Sequence, residues 1–298
     1  MYFHSIVFDI LLSWSIFFTS VLLIISPPVS AGVITMIISD RHSNRPSLDP
    51  LRGGDLLLPQ HSPWFLRHPE AYILILPAFG LISEMISKFS QCIISGRDSM
   101  LIALLITAVS GCIVRGHHMF MVGFDLDTRS YLTFSTSTIA IPTGIKILNR
   151  LATIWSSRFS SITPLYFIIG FPFSFCFGGF TGLISANSLI DTILHDPYFI
   201  IGHLHHVLPL GAIYTISAAF YTYWVFFSST LFSDYLGRIH SGSSFISTNS
   251  ISFTMHSLGI IGFPRRIYDY SIMFFKYQWF HTIGLIGIFI RISPTSSI

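Results

Sequence analysis

From Ile6 to Ile38 the chain carries a single charged side chain, Asp9, and that run sets the solvent in which it can fold. A bilayer core about 30 Å thick is crossed by roughly 20 apolar residues in a helix. Seven more apolar runs follow: Trp64–Phe89, Ser99–Phe124, Tyr131–Trp155, Pro164–Ser188, Phe199–Phe232, Phe245–Gly262 and Tyr270–Ile290. They are unbroken rather than alternating, which favours helices over barrel strands. Charged residues make up 10% of the chain and hydrophobic residues 51%, where soluble domains carry roughly 25% charged residues. The expectation is an all-α polytopic membrane protein with about eight transmembrane helices, forming a single membrane domain over residues 1–298.

The same composition excludes several classes. A formal net charge of +3 is too weak to imply a nucleic-acid partner. Cys92, Cys112 and Cys176 are too widely spaced for a disulfide framework or zinc knuckle. The first apolar run is too long for a signal-peptide core, so no cleavable leader is expected. Basic residues such as Arg41, Arg45 and Arg52 sit in connectors without a clear bias to one side, which leaves orientation open.

Against this shortage of charge stand 13 histidines. Ionisable groups within spans are costly and mark function. His68 opens the second run, and Tyr72 lies four residues on, hence on the same helix face. His117 and His118 are adjacent, about 100° apart on a helix. His203 and His205 project about 200° apart, so they cannot share one ion on a straight helix but can serve two groups on opposite sides. Asp191, His195 and Asp196 form an oxygen- and nitrogen-rich cluster just before them. A single buried imidazole is more often a packed, hydrogen-bonded residue than a ligand. Four such groups in one apolar chain favour metal binding, and imidazole without thiolate suits copper, zinc or haem iron.

Several stretches resemble the catalytic subunit of the haem–copper oxidases, in its cytochrome c oxidase branch. They are Trp64 through Pro77 around His68-Pro69-Glu70-Ala71-Tyr72, then His117-His118-Met119-Phe120, Asp125-Leu126-Asp127-Thr128-Arg129, Ile141-Pro142-Thr143-Gly144-Ile145-Lys146, Leu194-His195-Asp196 through His205, and Gly262-Phe263-Pro264-Arg265-Arg266. The resemblance implies that His68, His117 and His118 bind copper, with Tyr72 covalently joined to His68. It implies that His203 is axial ligand to an oxygen-binding haem and His205 to a neighbouring electron-transfer haem, both a-type. Asp191, Arg265 and Arg266 would face haem propionates, and His195 with Asp196 would hold magnesium. Lys146, Thr143 and Ser83 would form one proton route, and Glu70 would end another, its pKa raised by desolvation.

The implied activity is four-electron reduction of O2 to water with proton translocation. Its implied setting is the mitochondrial inner membrane, in contact with lipid, with oxidase subunits 2 and 3 as partners and cytochrome c as donor. A quinol oxidase is the near alternative. A nitric oxide reductase fits Tyr72 and Lys146 less well, and a non-redox proton-coupled transporter or a non-functional fragment are the distant alternatives. The resemblance covers the last eight of twelve family helices, so a separate N-terminal subunit 1 fragment is an expected partner.

Departures from the family pattern share a direction. Arg115 stands where the family has Trp, His206 where it has Tyr, Ser30, Ser174 and Ser185 where it has Leu, Pro28 and Pro172 where it has Leu, Ala71 where it has Val, and Pro209 where it has Ser. Each reverts by one cytosine-to-uracil change, which leads to the expectation that the transcript is edited. Arg52 and Arg67, where Gly is usual, need other changes.

Overall fold

The computed structural model describes residues 2–43, 47–48, 50, 53–55, 57–157 and 161–295; Arg45, Arg52 and the side chain of His4 lie outside this description. Eleven α-helices are described: α1 (Tyr2–Ser43), α2 (Leu58–Ser90), α3 (Arg97–Ile113), α4 (Leu126–Thr138), α5 (Ala140–Trp155), α6 (Thr163–Ala186), α7 (Ser188–Leu194), α8 (Tyr198–Val207), α9 (Pro209–Ser228), α10 (Asp234–Ile260) and α11 (Phe275–Thr295). A 3₁₀ segment, Val114–Val122, continues α3, and a short one, Ile272–Phe274, precedes α11. No strand is present among the described residues. The all-α membrane fold read from the apolar runs holds.

Five helical stretches are long and apolar enough to cross a bilayer: Ile10–Ser43, Gln60–Ser90, Arg97–Val122, Thr163–Ala186 and Tyr198–Ser228. The other runs are helical, but three expected spans are not single α-helices. The run from Ser99 turns 3₁₀ at Val114, with non-helical backbone at Met119, so the His117–His118 pair lies on tightened backbone. The run from Tyr131 divides at Ile139, between α4 and α5. There Ser137 and Thr138 hydroxyls donate to the carbonyls of Thr133 and Phe134, and Pro142 has no N–H to continue the ladder. The run from Phe199 divides at Leu208, and Pro209 opens α9, where its missing N–H costs nothing.

α1 lies along α2, α6 packs between α8 and α9, and α10 crosses α8 and α11. The core between α1, α2, α3, α6 and α9 is built from residues such as Leu76, Ile82, Met85, Phe167, Phe171 and Tyr214. Lipid tails are as apolar as these side chains, so close packing rather than expulsion from water holds the helices together. Buried hydroxyls satisfy themselves locally: Ser26 donates to Leu22 O at 2.8 Å and Thr215 to Gly211 O at 2.8 Å.

Candidate metal centre

Three imidazoles meet between α2 and the 3₁₀ segment. His68 Nδ1 lies 3.1 Å from His118 Nε2, and His117 Nε2 lies 3.0 Å from that same nitrogen. One ligand atom from each residue falls within 4.8 Å of the others. Ring nitrogens this close repel through their lone pairs unless a proton or a cation lies between them, and three converging on one point suit a cation. Adjacent residues on a regular helix point about 100° or more apart, so their convergence is tied to the irregular backbone that follows the pair, where Met119 leaves helical geometry inside the 3₁₀ segment.

Neighbours fix each ring. The Trp64 ring stacks on His118, centroids 4.4 Å apart and planes within 12°. Thr136 of α4 places its hydroxyl 3.3 Å from His117 Nδ1. Tyr72 sets its ring 4.9 Å from that of His68, edge to face, in agreement with the four-residue spacing. The Tyr72 ring reaches α3 because residue 111 is Gly, where a Cβ would lie 2.6 Å from Tyr72 Cδ2. His68 Nε2 is buried without a hydrogen-bond partner.

A second pair of imidazoles projects from α8. His203 Nδ1 lies 2.9 Å from Gly178 O, and His205 Nδ1 lies 2.9 Å from Ile201 O. A carbonyl only accepts, so both Nδ1 atoms carry the hydrogen and both Nε2 atoms keep a lone pair. That is the tautomer a metal-ligating imidazole adopts. His203 faces α6, where Thr181 Oγ1 is 3.1 Å away.

At the edge of the bundle, His195 Nδ1 pairs with Asp191 Oδ2 at 2.9 Å. The hydrogen bond that His195 donates to the Asp191 carboxylate lifts the His195 pKa above its ordinary value, against partial burial. The two residues expected in different roles are thus partners. Arg265 N donates to Asp196 O at 3.2 Å, and Tyr198 N to Phe263 O at 3.0 Å, so the Pro264-Arg265-Arg266 turn abuts this edge. Asp196 and Arg266 are exposed. A cavity of about 480 Å³ opens beside His118 and is lined by Gln60, Arg67, His195 and Asp196 among others.

The expected proton-route residues divide. Lys146 is fully buried and donates to Thr107 Oγ1 at 3.1 Å. Ser83 is buried and donates to Phe79 O at 2.8 Å. Thr143 is half-buried one turn before Lys146. Glu70 is exposed, so the described residues do not give it the burial expected from the sequence. Trp64, Thr107, Thr136 and Thr181 were missed from the sequence. Their only local signal is a hydroxyl or ring near a histidine or lysine that folding brings close.

A family model described as cytochrome c and quinol oxidase polypeptide I matches residues 4–290. A curated relative, cytochrome c oxidase subunit 1 of Pecten maximus, is 43% identical over 287 residues. That match covers 96% of this chain and 60% of the relative, so the chain spans well under the relative's whole length. Among solved structures, a haem–copper terminal oxidase dimer matches with a TM-score of 0.76 at 19% identity, covering 96% of this chain and 55% of the other; at that identity it speaks for the fold. A multi-pass helical chain with this architecture and a match along nearly its whole length belongs to the cytochrome c and quinol oxidase polypeptide I family.

Proposed function

We propose that the chain is part of the catalytic core of a cytochrome c oxidase, reducing O2 to water with coupled proton translocation, in the mitochondrial inner membrane. Residues 1–298 act as a single membrane domain, in an assembly with oxidase subunits 2 and 3. The observation that carries this reading is the convergence of His68, His117 and His118, with a phenol beside them. The donor set is three neutral imidazoles with no thiolate, which suits copper.

In this reading His68, His117 and His118 hold copper, and the unpaired Nε2 of His68 accounts for a bond to Tyr72. His203 and His205 hold two a-type haems through the Nε2 atoms their tautomers leave free. Asp191, Arg265 and Arg266 face the propionates, guanidinium forks matching carboxylates, and His195 with Asp196 binds magnesium. The metals supply O2 binding and the electrons that reduce it. The chain's own part is orientation and proton supply. Trp64 and Thr136 keep two imidazoles aimed inward, and Tyr72 offers a proton and an electron. Lys146, Thr143 and Ser83 lead protons toward Tyr72, while Glu70 ends a route whose walls come from elsewhere in the assembly. The family also contains quinol oxidases, so the test is oxygen uptake by the purified complex with reduced cytochrome c and, separately, with a quinol. Uptake with cytochrome c supports the reading; uptake with quinol alone overturns the choice of donor, and none with either overturns the activity.

A further inference from the structure

Buried polar atoms without partners are rare in a membrane core, because no water is there to satisfy them. In this chain several of them belong to four residues that are not candidate metal ligands: Arg150 Nη1, Ser174 Oγ, both ring nitrogens of His206 and Arg115 Nε, the last beside the metal centre with its Nη1 bonded to Cys112 O and its Nη2 3.2 Å from His61 Nε2. Arg150, Ser174 and His206 are almost wholly inaccessible, at 1%, 0% and 0% exposure. Arg150 did not stand out in the sequence, and the structure alone singles it out. Its guanidinium lies 4.9 Å from the Phe79 ring centroid and 5.8 Å from that of Phe171, while Lys146 Nζ sits 4.4 Å from the same Phe79 ring. No carboxylate pairs with either cation among the described residues, and a guanidinium, unlike an amine, does not escape by losing its proton.

Each environment fits a different side chain better. The Arg150 head among aromatic rings occupies the place of an indole, whose one N–H can take over the bond that Arg150 Nε makes to Ser83 Oγ at 3.1 Å, while Phe79 O, which Arg150 Nη2 also reaches at 2.9 Å, keeps the Ser83 hydroxyl as a donor. Arg115 likewise sits over Phe65, its guanidinium carbon 4.6 Å from the ring centroid. His206 sits among Phe177, Phe253 and His256 and approaches the Asn249 side chain, but no contact of either ring nitrogen or of Asn249 Oδ1 reaches hydrogen-bond geometry. A phenol in its place reaches further and donates to that oxygen. The Ser174 hydroxyl finds no carbonyl, in contrast to Ser26, Ser83 and Thr215 on other helices, and an aliphatic side chain would leave nothing unsatisfied.

We infer that these four codons are sites of base conversion in the transcript, and that the chain in the membrane carries Trp at positions 115 and 150, Leu or Phe at 174 and Tyr at 206. The chemistry is hydrolytic deamination of cytidine. Water adds at C4 of the base, the C4–N bond breaks, ammonia leaves and a carbonyl remains, with no change of oxidation state. The enzyme implied is an RNA-acting cytidine deaminase. The inference concerns packing in the membrane and is independent of the electron donor and of the copper ligands.

The test is to sequence the gene and its cDNA from one sample and to digest the membrane-inserted chain with trypsin. The expected result is CGG in the gene and TGG in the cDNA at codons 115 and 150, with matching single changes at 174 and 206. An uncut peptide running from Ile147 to Arg158 is expected as well, because the cleavage site after Arg150 is gone. A codon other than CGG at position 150, cytosine retained in the cDNA, or cleavage after Arg150 in the membrane chain each overturns the inference.

Discussion

His118 Nε2 has two other ring nitrogens within 3.1 Å, and removing its ring leaves two imidazoles, too few to hold copper against solvent exchange. His118→Ala should therefore bring copper at this centre to near zero by elemental analysis, while haem absorption persists. Among the described residues Lys146 donates one hydrogen bond, to Thr107. Thr107→Val keeps the volume and removes the acceptor, at a cost of about 1–3 kcal/mol, and should slow the steps fed by the Lys146 route; an unchanged turnover and melting temperature would show that the contact is idle. Asp125 caps α4, and its bonds from Thr128 hold its carboxyl below the usual range. A depressed pKa stabilises above the unfolded value, about 3.9, and that contribution is lost as pH falls through the lower folded value. Amide exchange in the first turn of α4 should therefore accelerate only under strong acid, and Asp125→Ala should abolish that acid dependence. At this scale the sequence is partly legible. The facing of His68 and Tyr72 follows from their spacing. The choice of Thr136 for His117 and Thr107 for Lys146 does not, since those pairs are separated in the chain and meet only through tertiary packing.

The apolar runs show where helices lie, and local chemistry shows where they break. Pro209 and Pro142 are visible signals, yet the breaks at Leu208 and Ile139 depend on how neighbouring carbonyls are satisfied, which a hydropathy run does not record. The 3₁₀ turn at Val114 is the least legible of the three, and it shapes the metal centre most. Helix contacts hinge on small residues. At Gly259 a Cβ would fall 2.0 Å from the backbone nitrogen of Phe199, and backbone cannot step aside as a flexible side chain does. Gly259→Ala should force α10 away from α8, costing about 3 kcal/mol or more. Since α8 carries His203 and His205, the variant should lose haem on purification and melt earlier; full haem retention would show that the two helices separate without disturbing the ligands.

For the whole molecule, a shortage of charge and a surplus of histidine receive one explanation: a helical bundle in lipid that brings three of its histidines together at a candidate metal centre. The fold class was legible because lipid leaves a chain few ways to satisfy its backbone. The grouping of His68, His117 and His118 was legible from motif and residue type, and the exposure of Glu70 and the pairing of Asp191 with His195 were not. The most direct test of the account is optical spectroscopy with iron and copper analysis on the purified complex containing this chain. The account predicts two haem irons and copper at this centre, with reduced-minus-oxidised haem bands. A complex that contains the chain but shows no haem bands and no copper would contradict it.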